Sequence, residues 1–273
     1  MRVYTITFAF LFFFKINANI PENYSVKYET LKSELLSYNI PELWIIKNIN
    51  HSSFKLYYNM PQFFSNMAEN KVKTSKKDLT WYMNHFGVEK KIISGENFIR
   101  KHQITLNFAE KQYRIPKELI TAILGIESNF GDTIFKGTFY TFPALISQYL
   151  LLDGREKYSI AQLVALYQFE RITKLQTYNF IGSFAGACGW GQFIPSSLLN
   201  YFVSKNNDLT KVDLYDMENN IFSIAHYLLK NAPPEFSTTN QSDLYKVIYQ
   251  YNRSDAYVKA VLYIYNGLLE KKL

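Results

Sequence analysis

Leu119-Ile-Thr-Ala-Ile-Leu-Gly-Ile-Glu-Ser-Asn-Phe-Gly131 reads as an apolar helix that ends on a single acid, Glu127. Pro116 suits a helix start and Gly131 a helix stop. Ile120 and Ile123 stand seven and four positions before Glu127, so the carboxylate projects from an apolar face. Poor solvation there, together with the negative end of the helix dipole, disfavours the charged form and raises the pKa. A carboxyl group that holds its proton near neutral pH is suited to general acid catalysis. In an arbitrary helix such a glutamate more often swings out to water. The rest of the chain reverses that preference.

The second informative stretch is Phe180-Ile-Gly-Ser-Phe-Ala-Gly-Ala-Cys-Gly-Trp-Gly-Gln-Phe-Ile-Pro-Ser-Ser197. Gly182, Gly186, Gly189 and Gly191 are too many for a helix interior, and they allow another surface to approach the backbone closely. A nucleotide-binding loop is excluded, because no Gly-Lys-Ser/Thr ending is present and no strand precedes the run. Gln192, Ser183 and Ser196 are neutral hydrogen-bonding groups of the kind a sugar site uses.

The chain has 273 residues, enough for one large domain with an N-terminal extension. Hydrophobic residues at 48% and charged residues at 19% exclude global disorder. Aromatic content is high at 17%, with 22 tyrosines; part of it fills the core, and tyrosine also suits a sugar groove, with a flat apolar face and a polar tip. Residues 1–18 read as a secretory signal: Met1-Arg2 is positive, Thr5 to Phe14 is apolar, and Ile16-Asn17-Ala18 offers a small residue for cleavage. That run is shorter than the roughly 20 residues a membrane helix needs. No cysteine follows it for lipid attachment, so the expectation is a periplasmic protein, exported and not a lipoprotein. An uncleaved signal would tether the chain to the inner membrane. Without residues 1–18, 28 basic residues stand against 23 acidic ones. This mildly basic balance suits an anionic polymer, while modest charge and the lack of a recognition motif argue against nucleic acid. Cys188 is the only cysteine, so no internal disulfide forms; its apolar surroundings mark it as a buried small hydrophobe.

Helical periodicity dominates from Leu79 onward, and strong alternating runs are missing. Candidate helices are Tyr28 to Tyr38, Pro41 to Asn48, Gly95–Tyr113, Pro116–Ser128, Ser159–Thr173, Met217–Asn231, Ser242–Tyr249 and Ser254–Lys271. The Lys-rich stretch from Ala68 to Asp78 reads as a loop, and Tyr178 to Pro195 as an irregular segment. The expected organisation is a signal (1–18), a helical N-terminal extension (19–78) and a mainly α catalytic domain (79–273).

Three blocks, in order, resemble the lytic murein transglycosylase B family of bacterial cell-wall enzymes. Gly125-Ile-Glu-Ser-Asn-Phe-Gly131 is similar to the family's catalytic helix end. Gly182 to Ser197 is similar to its glycine-rich signature, with Cys188 where methionine is usual. Tyr251-Asn-Arg-Ser-Asp-Ala-Tyr257 is similar to a third block. The resemblance runs from about Leu79 to the C-terminus. It implies a lysozyme-like α fold and cleavage of the MurNAc-β-1,4-GlcNAc bond of peptidoglycan, with the muramoyl C6 hydroxyl closing on C1 to leave a 1,6-anhydro end. Glu127 takes the role of the single acid and base. The residues agree: a two-carboxylate glycosidase needs a facing acid, and the nearest downstream candidates, Asp132 and Asp153, stand in no matching block.

By the same resemblance Ser183 and Gln192 contact substrate, Tyr251 and Asn252 lie beside the acid, and Tyr257 lines the groove. Arg155 and Tyr158 look like an Arg-Arg-x-x-Tyr element in which the first Arg is Gly154, weakening contact with substrate acid groups. Tyr82 and Tyr227 fall at groove positions, Tyr227 displaced by one residue. For any one tyrosine, core packing is about as good an account. Relatives often carry a calcium loop after the glycine-rich block. Here Tyr201 to Asp213 has Lys205 among few oxygen donors and lacks the loop glycine, so no calcium is expected. His51, His85, His102 and His226 form no ligand-spaced pair, so no zinc is expected either. No cofactor is implied. The expected partners are peptidoglycan glycan strands, with other cell-wall enzymes as candidates, and the chain is expected to be a monomer. The competing readings are a hydrolytic muramidase and a non-catalytic peptidoglycan-binding protein.

Overall fold

A computed structural model describes residues 19–74 and 79–271; the expected signal, 1–18, lies outside them. Five helices come first: α1 (Ser25–Ser37), α2 (Glu42–Ile49), α3 (Met60–Thr74), α4 (Leu79–Phe86) and α5 (Val88–Lys101). Then follow α6 (Gln103–Tyr113), α7 (Lys117–Ser128), α8 (Thr141–Leu151), α9 (Glu156–Thr173), α10 (Pro195–Tyr201), α11 (Met217–Asn231), α12 (Gln241–Tyr251) and α13 (Asp255–Glu270). The described strands are two short ones, β1 (Phe139–Tyr140) and β2 (Ile181–Gly182), paired antiparallel with Phe139 opposite Gly182. The chain is mainly α, as expected.

Helix α7 is the axis. Residues Glu118 to Gly125 and Ser128 are all buried, because α5, α6, α11 and α13 pack around it. Pro116 stands at the cap, one position earlier than a first helical residue, and its carbonyl accepts from the Leu119 amide at 3.0 Å. The helix stops when Asn129, Phe130 and Gly131 take successive positive φ values of 49°, 64° and 83°. The turn therefore begins two residues before the glycine read as its stop. Phe130 is held in this costly conformation by packing: an added Cβ on Gly125 would lie 2.8 Å from its ring, so the ring fills the space that glycine leaves.

Around α9 gather α1, α8 and α10. Tyr28, Leu31 and Leu35 of α1 and Trp44, Ile45 and Ile49 of α2 belong to the same buried cluster as the residues of α7 and α13. The N-terminal helices are thus built into the body of the molecule.

Several sequence expectations need correction. Ala68 to Thr74 is helical, the end of α3; lysine is a good helix former, and charge alone does not make a loop. The expected helix Gly95–Tyr113 is two helices broken at His102, and the first begins at Val88. Helix α8 has no counterpart among the candidates. Thr141 to Leu150 are all buried, so it shows no amphipathic period.

Candidate active site

Glu127 lies one residue before the end of α7 and is half-buried. The Tyr257 hydroxyl, on the first turn of α13, donates to its Oε1 at 2.6 Å. Burial raises the pKa of Glu127 to about 7, and the Tyr257 bond, which favours the carboxylate, holds back part of that rise. Among the described residues no charged neighbour contributes to the shift. At neutral pH both protonation states are therefore well populated, as a group that must give and then take a proton requires. Burial and the nearby Glu127 charge push both Tyr257 and Tyr251 well above the ordinary tyrosine range, so both remain neutral donors.

Of the two other acids weighed as partners, Asp132 caps the turn after α7, accepting from the Ile134 amide at 3.0 Å. Asp153 is fully exposed and faces Lys27 at 3.6 Å.

The glycine-rich segment forms two turns. In the second, Cys188 and Phe193 exchange backbone hydrogen bonds of 3.0 Å, closing the loop Gly189-Trp190-Gly191-Gln192. Gln192 sits there at φ 50°, its side chain donating to the Gly189 carbonyl at 3.0 Å. The Tyr251 hydroxyl donates to the Gly191 carbonyl at 2.6 Å, and an added Cβ on Gly191 would come within 3.1 Å of that hydroxyl. Gly191 is thus needed for the close approach of Tyr251, which feels the Glu127 charge, to the Gln192 loop. Trp190 lies against Gly131, just past the end of α7.

Asn220 fastens this loop from below. Completely buried on α11, it accepts from the Gly191 amide at 2.9 Å and donates to the Leu214 and Asp216 carbonyls at 2.9 and 2.7 Å. The sequence reading missed it. The available signal was the polar pair Asn219-Asn220 entering a helix otherwise apolar on that face.

In the first turn, the Ser183 amide donates to the Ala187 carbonyl at 2.9 Å, and the Ala187 amide donates back to Ser183 Oγ at 3.3 Å. Asn252 is exposed, just beyond α12. Tyr227 donates to the Gln250 carbonyl at 2.6 Å and packs edge-on to Tyr251, with ring centroids 4.8 Å apart. Tyr82 stands on α4, and its side chain falls outside the described residues. Arg155 and Tyr158 turn inward: the Arg155 guanidinium donates twice to Gln148 Oε1, at 3.2 and 2.7 Å, and Tyr158 donates to the Ala185 carbonyl at 3.4 Å.

Cys188 is completely buried, and burial pushes its thiol up to about 12, which leaves it inert at neutral pH. In the segment weighed for calcium, Asp208 accepts from the amide and hydroxyl of Thr210 at 3.0 and 2.6 Å, with Lys211 at 3.3 Å. Its oxygens are already engaged.

A family model described as "Transglycosylase SLT domain" matches residues 27–233. The chain belongs to that family. The match begins inside α1, so the family's domain takes in most of the N-terminal extension as well as Glu127 and the glycine-rich segment, and ends before Tyr251. The chain is 31% identical over 146 residues to membrane-bound lytic murein transglycosylase B of Escherichia coli strain K12; the alignment covers 54% of this chain and 40% of that protein. Among solved structures it is similar to the E. coli lytic transglycosylase Slt35 in complex with bulgecin A, with a TM-score of 0.73, 20% identity and coverage of 92% and 94% of the two chains. Soluble lytic transglycosylase SltB1 from Pseudomonas aeruginosa gives a TM-score of 0.74, 20% identity and coverage of 89% and 98%. SltB3 from the same organism, in complex with NAG-anhNAM-pentapeptide, gives 0.73, 16% identity and coverage of 91% and 80%. The fold is the lysozyme-like α fold of this family, with the helical N-terminal extension that the sequence led us to expect.

Proposed function

We propose that this chain is a peptidoglycan lytic transglycosylase in which Glu127 is the single acid and base. The observation that carries the reading is a carboxyl group with a pKa near 7, set by burial and by one hydroxyl partner among the described residues. Protonated Glu127 gives its proton to the glycosidic oxygen as the bond from muramoyl C1 to that oxygen breaks. The resulting carboxylate then takes the proton of the muramoyl C6 hydroxyl while O6 bonds to C1. The two steps leave a 1,6-anhydro end and a free GlcNAc hydroxyl, and Glu127 is again protonated, so neither water nor a second carboxylate is consumed. Tyr257 holds the carboxyl in place through both steps. Ser183, Gln192, Tyr251, Asn252 and Tyr227 supply the polar lining for the sugar.

The NAG-anhNAM-pentapeptide bound to SltB3 is an anhydro fragment of the kind this reaction leaves. The substrate is peptidoglycan glycan strands, and the site of action is the periplasm, reached through the apolar N-terminal run as an export signal. Among the described residues no helix is long and apolar enough to cross a membrane. The groups named above all lie in 79–271, the proposed catalytic part, and α3 of the preceding segment walls its Ser183 side. Mass spectrometry of digested peptidoglycan tests the function: anhydro-muropeptides are expected, and hydrated reducing ends alone would make the chain a muramidase.

A further inference from the structure

Gln148 is completely buried at the end of α8, and both ends of its amide are used. Its Oε1 accepts two bonds from Arg155, and its Nε2 donates to the Phe184 carbonyl at 3.0 Å. Tyr158 holds the next carbonyl, that of Ala185. At Gly186, φ is +92° and an added Cβ would lie 2.9 Å from Leu145, so the turn is seated directly on α8. The carbonyls of residues 184 and 185 are thus held from below, and Ser183 is held by its own bonds to Ala187 and by the Gly186 amide at 3.0 Å.

The Arg155 guanidinium is also enclosed. Its Cζ lies 3.8 Å from the Tyr158 ring centroid and 5.0 Å from that of Phe64 on α3. Stacking between rings with two donors committed to one acceptor fixes an arginine in place. Phe63 and Phe64 also pack on Phe184, with centroids 5.5 and 5.2 Å away, so α3 covers both the arginine and the turn.

We propose that Gln148, Arg155 and Tyr158 are positioning residues that set the Ser183 turn in the sugar groove, clamped from above by Phe63 and Phe64. This assigns Arg155 and Tyr158 an inward role in place of the substrate contact that the family resemblance implies, and gives the N-terminal segment a part in the site. It rests on the reading of the chain as a glycan-cleaving enzyme.

The test compares Arg155→Lys, which keeps the charge but loses the paired donors, with Gln148→Met, which keeps the volume. Substrates are glycan strands with and without peptide stems. Both variants are expected to lower kcat by about ten-fold, the loss of a buried hydrogen-bonded pair, equally on the two substrates. Combined, they should cost little more than either alone, because they break one network. Amide exchange at Gly186 and Ala187 should speed up by about ten-fold, while amides of α7 stay unchanged. A loss in Arg155→Lys confined to stem-bearing glycan and seen in KM, with Gln148→Met near wild type, overturns the proposal. So does unchanged exchange at Gly186 and Ala187 in both variants. If the wild-type protein opens neither glycan, the proposed function fails, and the exchange rates still decide the positioning role.

Discussion

Tyr257 and Glu127 are joined by a 2.6 Å hydrogen bond across 130 residues of sequence, between two helices that pack directly on each other. The hydroxyl donates, so it favours the carboxylate over the neutral acid. Tyr257→Phe removes that preference and leaves the burial. The Glu127 pKa is then expected to rise above its present value of about 7, by roughly one pH unit for a lost bond to a charged group. The pH dependence of glycan cleavage reads this directly: the limb governed by Glu127 moves to higher pH. An unmoved profile would show that the bond does not tune the acid.

Glu127 also couples stability to pH. Its folded-state pKa, raised from 4.5 to about 7, means that the fold holds the proton more tightly than the unfolded chain does. That stabilisation is full below pH 4.5 and is lost as pH rises to 7, a change on the order of 3 kcal/mol. Glu127→Gln removes the titration while keeping the shape. It should gain stability relative to wild type between pH 4.5 and 7 and hold the gain above. Thermal melts across that range check this, and the same variant should lose roughly a hundred-fold or more in cleavage rate.

Asn220 carries three hydrogen bonds from a fully buried position. Asn220→Asp keeps the acceptor for the Gly191 amide and removes both donors, leaving the Leu214 and Asp216 carbonyls short of a partner. A destabilisation of about 3 kcal/mol is expected in urea unfolding. Activity should fall as well, since the carbonyl that receives Tyr251 sits on the loosened loop.

Two glycines separate close approach from backbone conformation. An added Cβ on Gly182 would lie 1.7 Å from the Ala187 carbonyl oxygen, and backbone cannot move aside cheaply. Gly182→Ala should cost more than about 3 kcal/mol by breaking the turn that holds Ser183. Gly154 has φ +80° with open space around it, so Gly154→Ala should cost only about 1 kcal/mol, the left-handed penalty alone. Equal losses would contradict the geometry.

The Cys188 thiol, buried and pushed up to about 12, should resist a disulfide reagent at pH 8 in the native protein and react at once in denaturant. Fast native labelling would mean that the glycine-rich segment opens.

The acid and its loop were legible because they break a pattern: one carboxylate ending an apolar helix, and glycines too dense for any helix. Tyr257 and Tyr251 were reachable only through the family resemblance, since nothing local marks a tyrosine that bonds a residue far away in sequence. The supports were not legible. Helix α8 is buried on every side, so it shows no period, and Gln148 within it reads as an ordinary polar residue. Arg155 read as a substrate contact through the family resemblance of Gly154 to Tyr158; its bonds to Gln148 become visible only in the fold. The α3 aromatics fall just before a Lys-rich run whose polarity suggested a loop, while the helix continues through it to Thr74.

Helix α13, which carries the only hydroxyl bonded to the carboxyl of Glu127 among the described residues, follows α7 by six further helices. During synthesis the acid is therefore made long before the hydroxyl that bonds it. A chain that has emerged only as far as α12 holds the carboxyl without the partner that orients it.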